Sequence, residues 1–205
     1  MRVKDLMTRP VITVGPGHAV WDVANVLARH GITAVPVVDD DGELVGIVTE
    51  ADVMRGRILP DPRGVHVPSA PPAQTVGEVM TTDVVTVTED SDVAEVVRTM
   101  VDRRLRTVPV LRGREPGDRL VGILTRRDLM RCISREDALV AADVRRRLDL
   151  YSGPGRWTVT ARAGVVTITD DRDRDDPTDR HVVHVLAVAV PGVSVVQVKG
   201  AGGRN

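Results

Sequence analysis

The strongest constraint on the fold of this 205-residue chain is an internal repeat. The stretch GIVTEADVMR (46–55) returns as GILTRRDLMR (122–131), with six of the ten positions identical and two further positions exchanging Val for Leu. Upstream, VKDLMTRPVITV (3–14) aligns with VGEVMTTDVVTV (76–87), and the second copy has a longer turn at GREPGD (113–118). Because this insertion falls at a turn while its flanks stay in register, we infer a duplicated structural unit.

Each copy predicts the element order β-α-β-β-α. The β-branched runs VITV (11–14) and VVTV (84–87) predict strands. Residues 18–31 and 91–104 place their aliphatic side chains on one helical face, which predicts amphipathic helices. A strand, a turn, a second strand and a short helix from Glu50 complete the first copy. A sheet of this kind packs helices on one face, so the second copy is expected to cover the other.

A proline-rich segment separates the copies, since GRILPDPRGVHVPSAPPAQT holds five prolines and two glycines in twenty positions. Such a composition favours an extended linker. We therefore place the first motif at 1–56, the linker at 57–75 and the second motif at 76–134. Residues 135–203 predict a helix, two strands, a helix and a strand, which is a separate small αββαβ unit.

Composition excludes several classes of function. The net charge is −1, so no global field attracts the chain to nucleic acid or to an anionic membrane. Phe is absent, and Trp and Tyr together supply three large rings, too few to stack single-stranded nucleic acid. Cys132 is the single cysteine, and no run approaches 18 apolar residues. The N-terminal residues do not resemble a secretory signal. We expect a cytoplasmic protein with no transmembrane segment and no nucleic-acid partner.

The repeated Thr–Asp pair allows two interpretations. A Thr at the end of a strand with an acid three residues later is a capping box, in which Thr49 and Asp52 satisfy the first N–H groups of a helix. The same helix start suits a phosphate, and the carboxylate beside it suits two ribose hydroxyls. Gly46 would let the preceding strand approach a bulky ligand. For one copy alone capping is the more economical interpretation, and the two are compatible.

The segments DLMT and EVMT, TAVPVVDDDG and GIVTEADVM resemble a pair of cystathionine-β-synthase-type (CBS) motifs over residues 3–131. The resemblance implies an α+β (or α/β) fold in which two pseudo-symmetric β-α-β-β-α motifs pack as a disc. It also implies homodimerisation and clefts that bind AMP, ADP, ATP or S-adenosylmethionine, although some members bind no ligand. Such a ligand would be regulatory, so no cofactor in the catalytic sense is expected.

Carried over to this chain, the resemblance implies that Asp52 and Asp128 hold ribose hydroxyls. The residues expected at the phosphates are Thr49, Thr125, Arg106, Arg126 and Arg127. The residues expected at the adenine region are Thr8, Ile32, Thr33, Ala34, Thr81, Leu105 and Thr107. Each cleft is expected to mix segments from both copies.

The copies differ in charge at the places that correspond. Where the second copy has Arg106, the first has Thr33, and where the second has Arg126 and Arg127, the first has Glu50 and an alanine. Since phosphates need cationic partners, we expect the two clefts to differ in affinity.

Residues 137–203 resemble a BON domain, a small αββαβ module often found in bacterial envelope and stress proteins. The segments AADVRRRLD, WTVTARAGVVTIT and VPGVSVVQVKG carry the resemblance. The family often has Gly where Asp170 follows the second strand, so this chain departs from the pattern there. The resemblance implies a protein-contact or oligomer-stabilising role.

Other constellations do not predict a site. The run DRDRDD (171–176) begins like a calcium loop, but Asp176 and Val182 occupy the positions that require Gly and Glu. His181 and His184 have no third ligand nearby in the sequence. No hydroxyl or thiol lies in a nucleophile motif. We therefore expect no metal site and no enzyme.

The leading hypothesis is a regulatory sensor whose CBS pair binds an adenosine-containing ligand and relays the event to the BON-like unit or to a protein partner. The alternative is a ligand-free CBS dimerisation scaffold that presents the BON-like unit to a surface or a protein. In that alternative the Thr–Asp pairs are helix caps only.

Overall fold

The structure, a computed structural model, describes residues 1–55, 73–113, 118–172 and 176–200. Most of the expected linker lies outside the described residues, as do Asp173 and Asp175 of the rejected calcium loop and the last residues of the BON-like segment.

The chain forms two compact units. One comprises Met1–Met7, Asp90–Arg104 and the chain from Leu124 onward, and the other comprises Thr8–Glu89 and Leu105–Ile123. Each unit combines segments from both copies of the repeat, so the repeat boundary in sequence is not a boundary in space.

The first copy has three helical segments and strands in the predicted order: a 3-10 turn (Val3–Asp5), α1 (Val20–His30), β1 (Ala34–Val38), β2 (Leu44–Thr49) and α2 (Glu50–Met54). The two strands pair antiparallel. Helix α1 buries Val20, Val23 and Leu27 on one face, as its periodicity predicts. It ends at Gly31, whose φ of 59° lies in the left-handed region that favours glycine.

The second copy repeats this order with α3 (Val76–Val79), β3 (Val87–Thr88), α4 (Val93–Asp102), β4 (Thr107–Leu111), β5 (Leu120–Thr125) and α5 (Arg126–Ile133). Its strands form a sheet in the order β3-β4-β5. Helix α4 buries Val93, Val96 and Met100 on the predicted face. The helix α5 is longer than its counterpart α2, which has five residues against eight.

The predicted first strand of each copy is much shorter than expected. The run 11–14 contributes only a parallel bridge from Val14 to Val37, and the run 84–87 contributes only Val87, which with Thr88 forms β3. The prediction of a four-residue strand at each place was therefore wrong.

A proline in the neighbouring strand explains the truncation. Val14 N–H donates to the Pro36 carbonyl at 3.2 Å, and Val38 N–H donates to the Val14 carbonyl at 2.9 Å. In this parallel register the next bond would need the N–H of Pro36, which proline lacks. Pro109 stands at the corresponding place beside β3, which pairs with β4 from Val87↔Val110 onward.

The two copies exchange their leading segments within one compact unit. Thr8 forms an antiparallel bridge with Ile123 of the second copy, with N···O distances of 2.9 and 3.2 Å. Thr81 forms the matching bridge with Ile47 of the first copy, with both distances at 2.9 Å. Each copy therefore adds an antiparallel bridge to the last strand of the other copy. These reciprocal contacts give the repeat an approximate two-fold relation.

The C-terminal segment has the predicted order helix, strand, strand, helix, strand: α6 (Asp137–Ser152), β6 (Trp157–Arg162), β7 (Val165–Asp170), α7 (Pro177–Val188) and β8 (Val195–Gly200). Strands β6 and β7 pair antiparallel, and β7 and β8 pair parallel. Their core contains Val144, Leu148, Ile168, Val183 and Ala187, each with 0% exposure. Among the described residues, no helix combines the length and apolar character that a membrane span requires.

Candidate functional site

The Thr–Asp pair of the first copy joins β2 to α2. Thr49 N–H donates to Asp52 Oδ2 at 2.9 Å, and the Thr49 hydroxyl donates to the same oxygen at 2.7 Å. This is one half of a capping box, because Asp52 satisfies the backbone of the residue before the helix. The Asp52 side chain is 13% exposed, so the carboxylate is held in place at the edge of solvent.

The second copy builds the same arrangement between β5 and α5. Thr125 N–H and hydroxyl donate to Asp128 Oδ2 at 2.9 and 2.6 Å, and Asp128 N–H donates back to Thr125 Oγ1 at 3.3 Å. The Asp128 side chain is 6% exposed. The prediction that both pairs cap helices is confirmed, and the local spacing of three residues produces both.

Capping uses one oxygen of each carboxylate and leaves the other toward an exposed arginine. Asp52 Oδ1 lies 3.9 Å from Arg55 Nη2, and that arginine is 80% exposed. Asp128 Oδ1 also pairs with Arg131 at 3.4 Å, and that arginine is 68% exposed. Exposed ion pairs of this kind contribute little stability. A ligand hydroxyl can therefore compete for these oxygens.

The segment predicted at the adenine region lies beside the first pair. Glu50 N–H donates to the Thr33 carbonyl at 3.1 Å, and Ala34 pairs with Thr49 in the β1–β2 register. Ile32 and Thr33 are half-buried, whereas Ala34 is buried. The structure thus brings this predicted segment to the start of α2, where Asp52 lies.

Gly46 has a different role from the one expected. A Cβ there would lie 2.7 Å from Met80 Sδ and 3.1 Å from the Thr81 carbonyl, so glycine makes room for the leading segment of the other copy. That contact places the exposed Thr81 beside Ile47, two residues before Thr49. The expectation that Gly46 admits a ligand was therefore wrong, while the prediction for Thr81 is compatible with its position.

Arg106 lies exposed just before β4, in the same compact unit as Asp52. Within the described parts of the chain it makes no hydrogen bond or ion pair, so its guanidinium is available to a ligand. Its neighbours Leu105 and Thr107 are half-buried.

The other two predicted arginines begin α5. Arg126 and Arg127 are both exposed, and Arg126 Nη2 donates to the Met100 carbonyl in the last turn of α4 at 3.3 Å. This bond satisfies a carbonyl that the helix itself leaves free. Arg126 thus has a structural contact that the sequence did not reveal. Thr8 is exposed and bridges to Ile123, two residues before Thr125.

The αββαβ unit contains an ion network that the sequence did not predict. Arg156, whose side chain is 11% exposed, donates to Asp170 at 2.9 Å and to Asp179 at 2.6 Å through Nη2, and its guanidinium lies 4.5 Å from the Trp157 ring centroid. Asp170 occupies a position where the BON pattern often has Gly. This departure was the one feature of the sequence that could have indicated the ion network. The partner arginine lies across the hairpin, beyond any local spacing rule.

Several pKa values in this network are shifted. Burial acts to raise the pKa of Asp170, but hydrogen bonds from Arg156 and from the Arg172 N–H outweigh it and the net pKa is lowered. The Arg156 pKa is raised by the same pairs. The Tyr151 hydroxyl donates to Asp179 at 2.6 Å, which raises the pKa of the tyrosine. In the described ranges, no His, Cys, Asp and Glu side chains cluster as metal ligands.

The profile of the CBS domain family matches residues 3–58 and 76–135, more than half of the chain. The chain therefore belongs to the CBS domain family and carries a tandem CBS pair. It is 36% identical over 130 residues to the uncharacterized protein YlbB of Bacillus subtilis, a match that covers 62% of this chain and 79% of that protein.

A solved structure with the same fold is the CBS domain pair of protein MJ0100 in complex with 5′-methylthioadenosine and S-adenosyl-L-methionine. The identity is 32% and the TM-score 0.53, with 64% of this chain and 94% of that chain covered. The L-aspartate semialdehyde sulfurtransferase of Methanocaldococcus jannaschii is 33% identical over 129 residues, which cover 63% of this chain.

The chain spans 22–36% of the length of three curated relatives from M. jannaschii. Two of these relatives are enzymes, the sulfurtransferase and an inosine-5′-monophosphate dehydrogenase. Their matches cover about 63% of this chain, the share that its CBS pair occupies. CBS pairs are typically regulatory modules, and the similarity to these enzymes concerns that part.

Proposed function

We propose that the CBS pair is a regulatory module that binds an adenosine-containing ligand. The observation that carries the proposal is the duplicated carboxylate: Asp52 and Asp128 are each anchored by Thr through Oδ2, while Oδ1 of each faces an exposed arginine. A carboxylate fixed in this way is pre-organised to accept two vicinal hydroxyls, as a ribose supplies.

The remaining roles follow the same proposal. The phosphates, or an equivalent charged group, are bound by Thr49, Thr125, Arg106, Arg126 and Arg127. The adenine is contacted by residues of the set Thr8, Ile32, Thr33, Ala34, Thr81, Leu105 and Thr107. Since the second copy supplies the arginines, the two sites differ in their preference for phosphorylated ligands.

Binding of the ligand acts on a second domain of the chain or on a partner protein. We assign residues 135–203 to a BON-like domain, which the αββαβ order and the closing VPGVSVVQVKG support. This domain, or a protein bound to it, receives the signal. Homodimerisation through the CBS pair and a cytoplasmic, bacterial setting complete the proposal.

Isothermal titration tests the ligand proposal, with AMP, ATP and S-adenosylmethionine titrated in parallel into the full chain. A double variant Asp52→Ala/Asp128→Ala removes both carboxylates, and Asp52→Asn/Asp128→Asn is the matched control that keeps an acceptor for the Thr N–H. Saturable binding that the alanine variant loses supports the proposal. No binding of any of the three ligands overturns it.

A ligand-free scaffold is the second candidate, because both Thr–Asp pairs form their capping hydrogen bonds without a ligand. Under this candidate, each Asp→Ala change would reduce the free energy of unfolding by about 1 kcal/mol and would alter no ligand affinity. The same two variants therefore discriminate the candidates when thermal unfolding is measured beside the titration.

A further inference from the structure

Arg135 lies two residues beyond the end of α5 and contacts the αββαβ unit at two points. Its Nη1 donates to the Pro191 carbonyl at 2.9 Å, and its Nη2 donates to Asp143 Oδ2 at 2.6 Å. The Arg135 and Asp143 side chains are 26% and 31% exposed, so the pair is partly shielded from solvent. Charge-assisted bonds of this length are stronger than neutral ones, and the bond from Arg135 lowers the pKa of Asp143.

A close backbone contact joins the same elements. Gly192 lies in the turn between α7 and β8 with a φ of 94°, and a Cβ there would lie 2.9 Å from Val140 Cγ2 and 3.2 Å from the Cys132 carbonyl. Cys132 belongs to the last turn of α5, and Val140 belongs to α6. The turn therefore packs against both helices with no room for a side chain.

These contacts form a joint, which we define as Arg135, Asp143, Pro191 and Gly192. The joint lies one helix length from the second candidate carboxylate, since Asp128 is in the first turn of α5 and Arg135 is seven residues later. The five residues from Asp128 to Ile133, the last residue of α5, correspond to about 8 Å along the helix axis at roughly 1.5 Å per residue, and Arg135 follows two residues later. A helix this short moves as one body, so a displacement at Asp128 reaches the joint.

We propose that this joint transmits ligand occupancy at Asp128 to the αββαβ unit, and that Arg135 is the residue that couples them. The inference rests on the proposed function, because it needs a ligand at Asp128. A ligand shifts an equilibrium only through different affinities for two states. Here the states differ in the position of α5. The bond from Arg135 to the Pro191 carbonyl makes the turn follow α5, and the bond to Asp143 ties α6 to the same residue. Ligand binding then stabilises α7 and β8, which flank that turn.

Hydrogen–deuterium exchange on the full chain tests the coupling, with S-adenosylmethionine, AMP and ATP each added at saturating concentration as established by titration. We expect slower exchange in α7 and β8 when a ligand is bound. Arg135→Ala abolishes this ligand-dependent difference while ligand affinity stays within about twofold of the wild type. Arg146→Ala is the matched control, because Arg146 shares Asp143 at 2.9 Å and lies on α6 away from the turn.

The variants at the two carboxylates complete the test. Asp128→Ala removes the difference in α7 and β8, whereas Asp52→Ala, in the other compact unit, leaves the difference that the second site produces. If no ligand binds the wild type, the proposed function fails and the coupling fails with it. If a ligand binds but exchange in α7 and β8 does not change, or changes equally in Arg135→Ala, the coupling alone is overturned.

Discussion

Asp52 in the CBS pair and Asp170 in the αββαβ unit are both shielded carboxylates, yet they use their oxygens differently. In Asp170, Oδ1 accepts from Arg156 Nε at 3.3 Å and from the Arg172 N–H at 3.0 Å, and Oδ2 accepts from Arg156 Nη2 at 2.9 Å. In Asp52, Oδ2 accepts both bonds from Thr49, and among the described residues Oδ1 faces an exposed arginine at 3.9 Å.

The difference separates a structural carboxylate from a binding carboxylate. An acid whose two oxygens are both held by a buried cation and a backbone N–H stabilises the fold and offers nothing to a ligand. An acid that is anchored through one oxygen is positioned for a ligand through the other. Substitutions on the two sides of this comparison should therefore affect mainly different properties, stability for the structural carboxylate and ligand affinity for the binding carboxylate.

Replacing Arg156 by Met should reduce the free energy of unfolding by about 3 kcal/mol, because removing one partner of a buried pair leaves the acids Asp170 and Asp179 without their cation. Urea denaturation followed by circular dichroism measures this. Arg162→Met, at the exposed end of β6, is the control. It should change the free energy of unfolding by less than about 0.5 kcal/mol, as surface substitutions usually do. A loss below about 1 kcal/mol for Arg156→Met would contradict a structural role.

Replacing Asp52 by Ala should weaken ligand binding at its site by about 3 kcal/mol, more than a hundredfold, because two hydroxyls lose hydrogen bonds to a charged acceptor. The stability loss should be smaller, about 1 kcal/mol, since only a cap is removed. Titration calorimetry gives the affinity and the number of sites. If the ligand affinity is unchanged while the protein loses measurable stability, Asp52 is a structural carboxylate like Asp170.

Replacing Arg106 by Ala should weaken AMP and ATP about tenfold and leave adenosine unchanged, since a charge-assisted bond to phosphate contributes about 1.5 kcal/mol. The difference should shrink at high salt, where exposed charges are screened. Arg112→Ala is the matched control, because Arg112 is also exposed and follows β4. An equal effect on adenosine would show that Arg106 does not read the phosphates.

Acid should destabilise the αββαβ unit through Asp170, because the pKa of this carboxyl is lowered in the folded state by its bonds from Arg156 and the Arg172 N–H. A carboxyl with a lowered folded pKa contributes stability above its unfolded value of 3.8, and this stability is lost as the pH falls through the lower folded value. Denaturation at pH 7, 5, 4 and 3 measures the loss, which should begin near pH 4. Asp170→Asn should show a shallower decline, and an identical decline would exclude Asp170 as its source.

Local features were predictable because they depend on residues close in sequence. The capping boxes need Thr and Asp three residues apart, and α1 and α4 need apolar residues at helical spacing, so the sequence predicted both correctly. The order of the five C-terminal elements followed from the same rules. The shortened first strands were predictable in principle, since Pro36 removes a donor, but the prediction needed to know which strand lies beside it.

The sequence by itself determined the repeat, its helices and caps, and the residue types at the candidate sites, because hydrogen bonds across three or four residues form wherever those residues occur. Only the tertiary structure decided that Thr81 lies beside Ile47, that Arg156 pairs with Asp170, and that Arg135 reaches Pro191. Such contacts depend on which surfaces pack together, and packing is set by the burial of the whole chain and not by spacing along it.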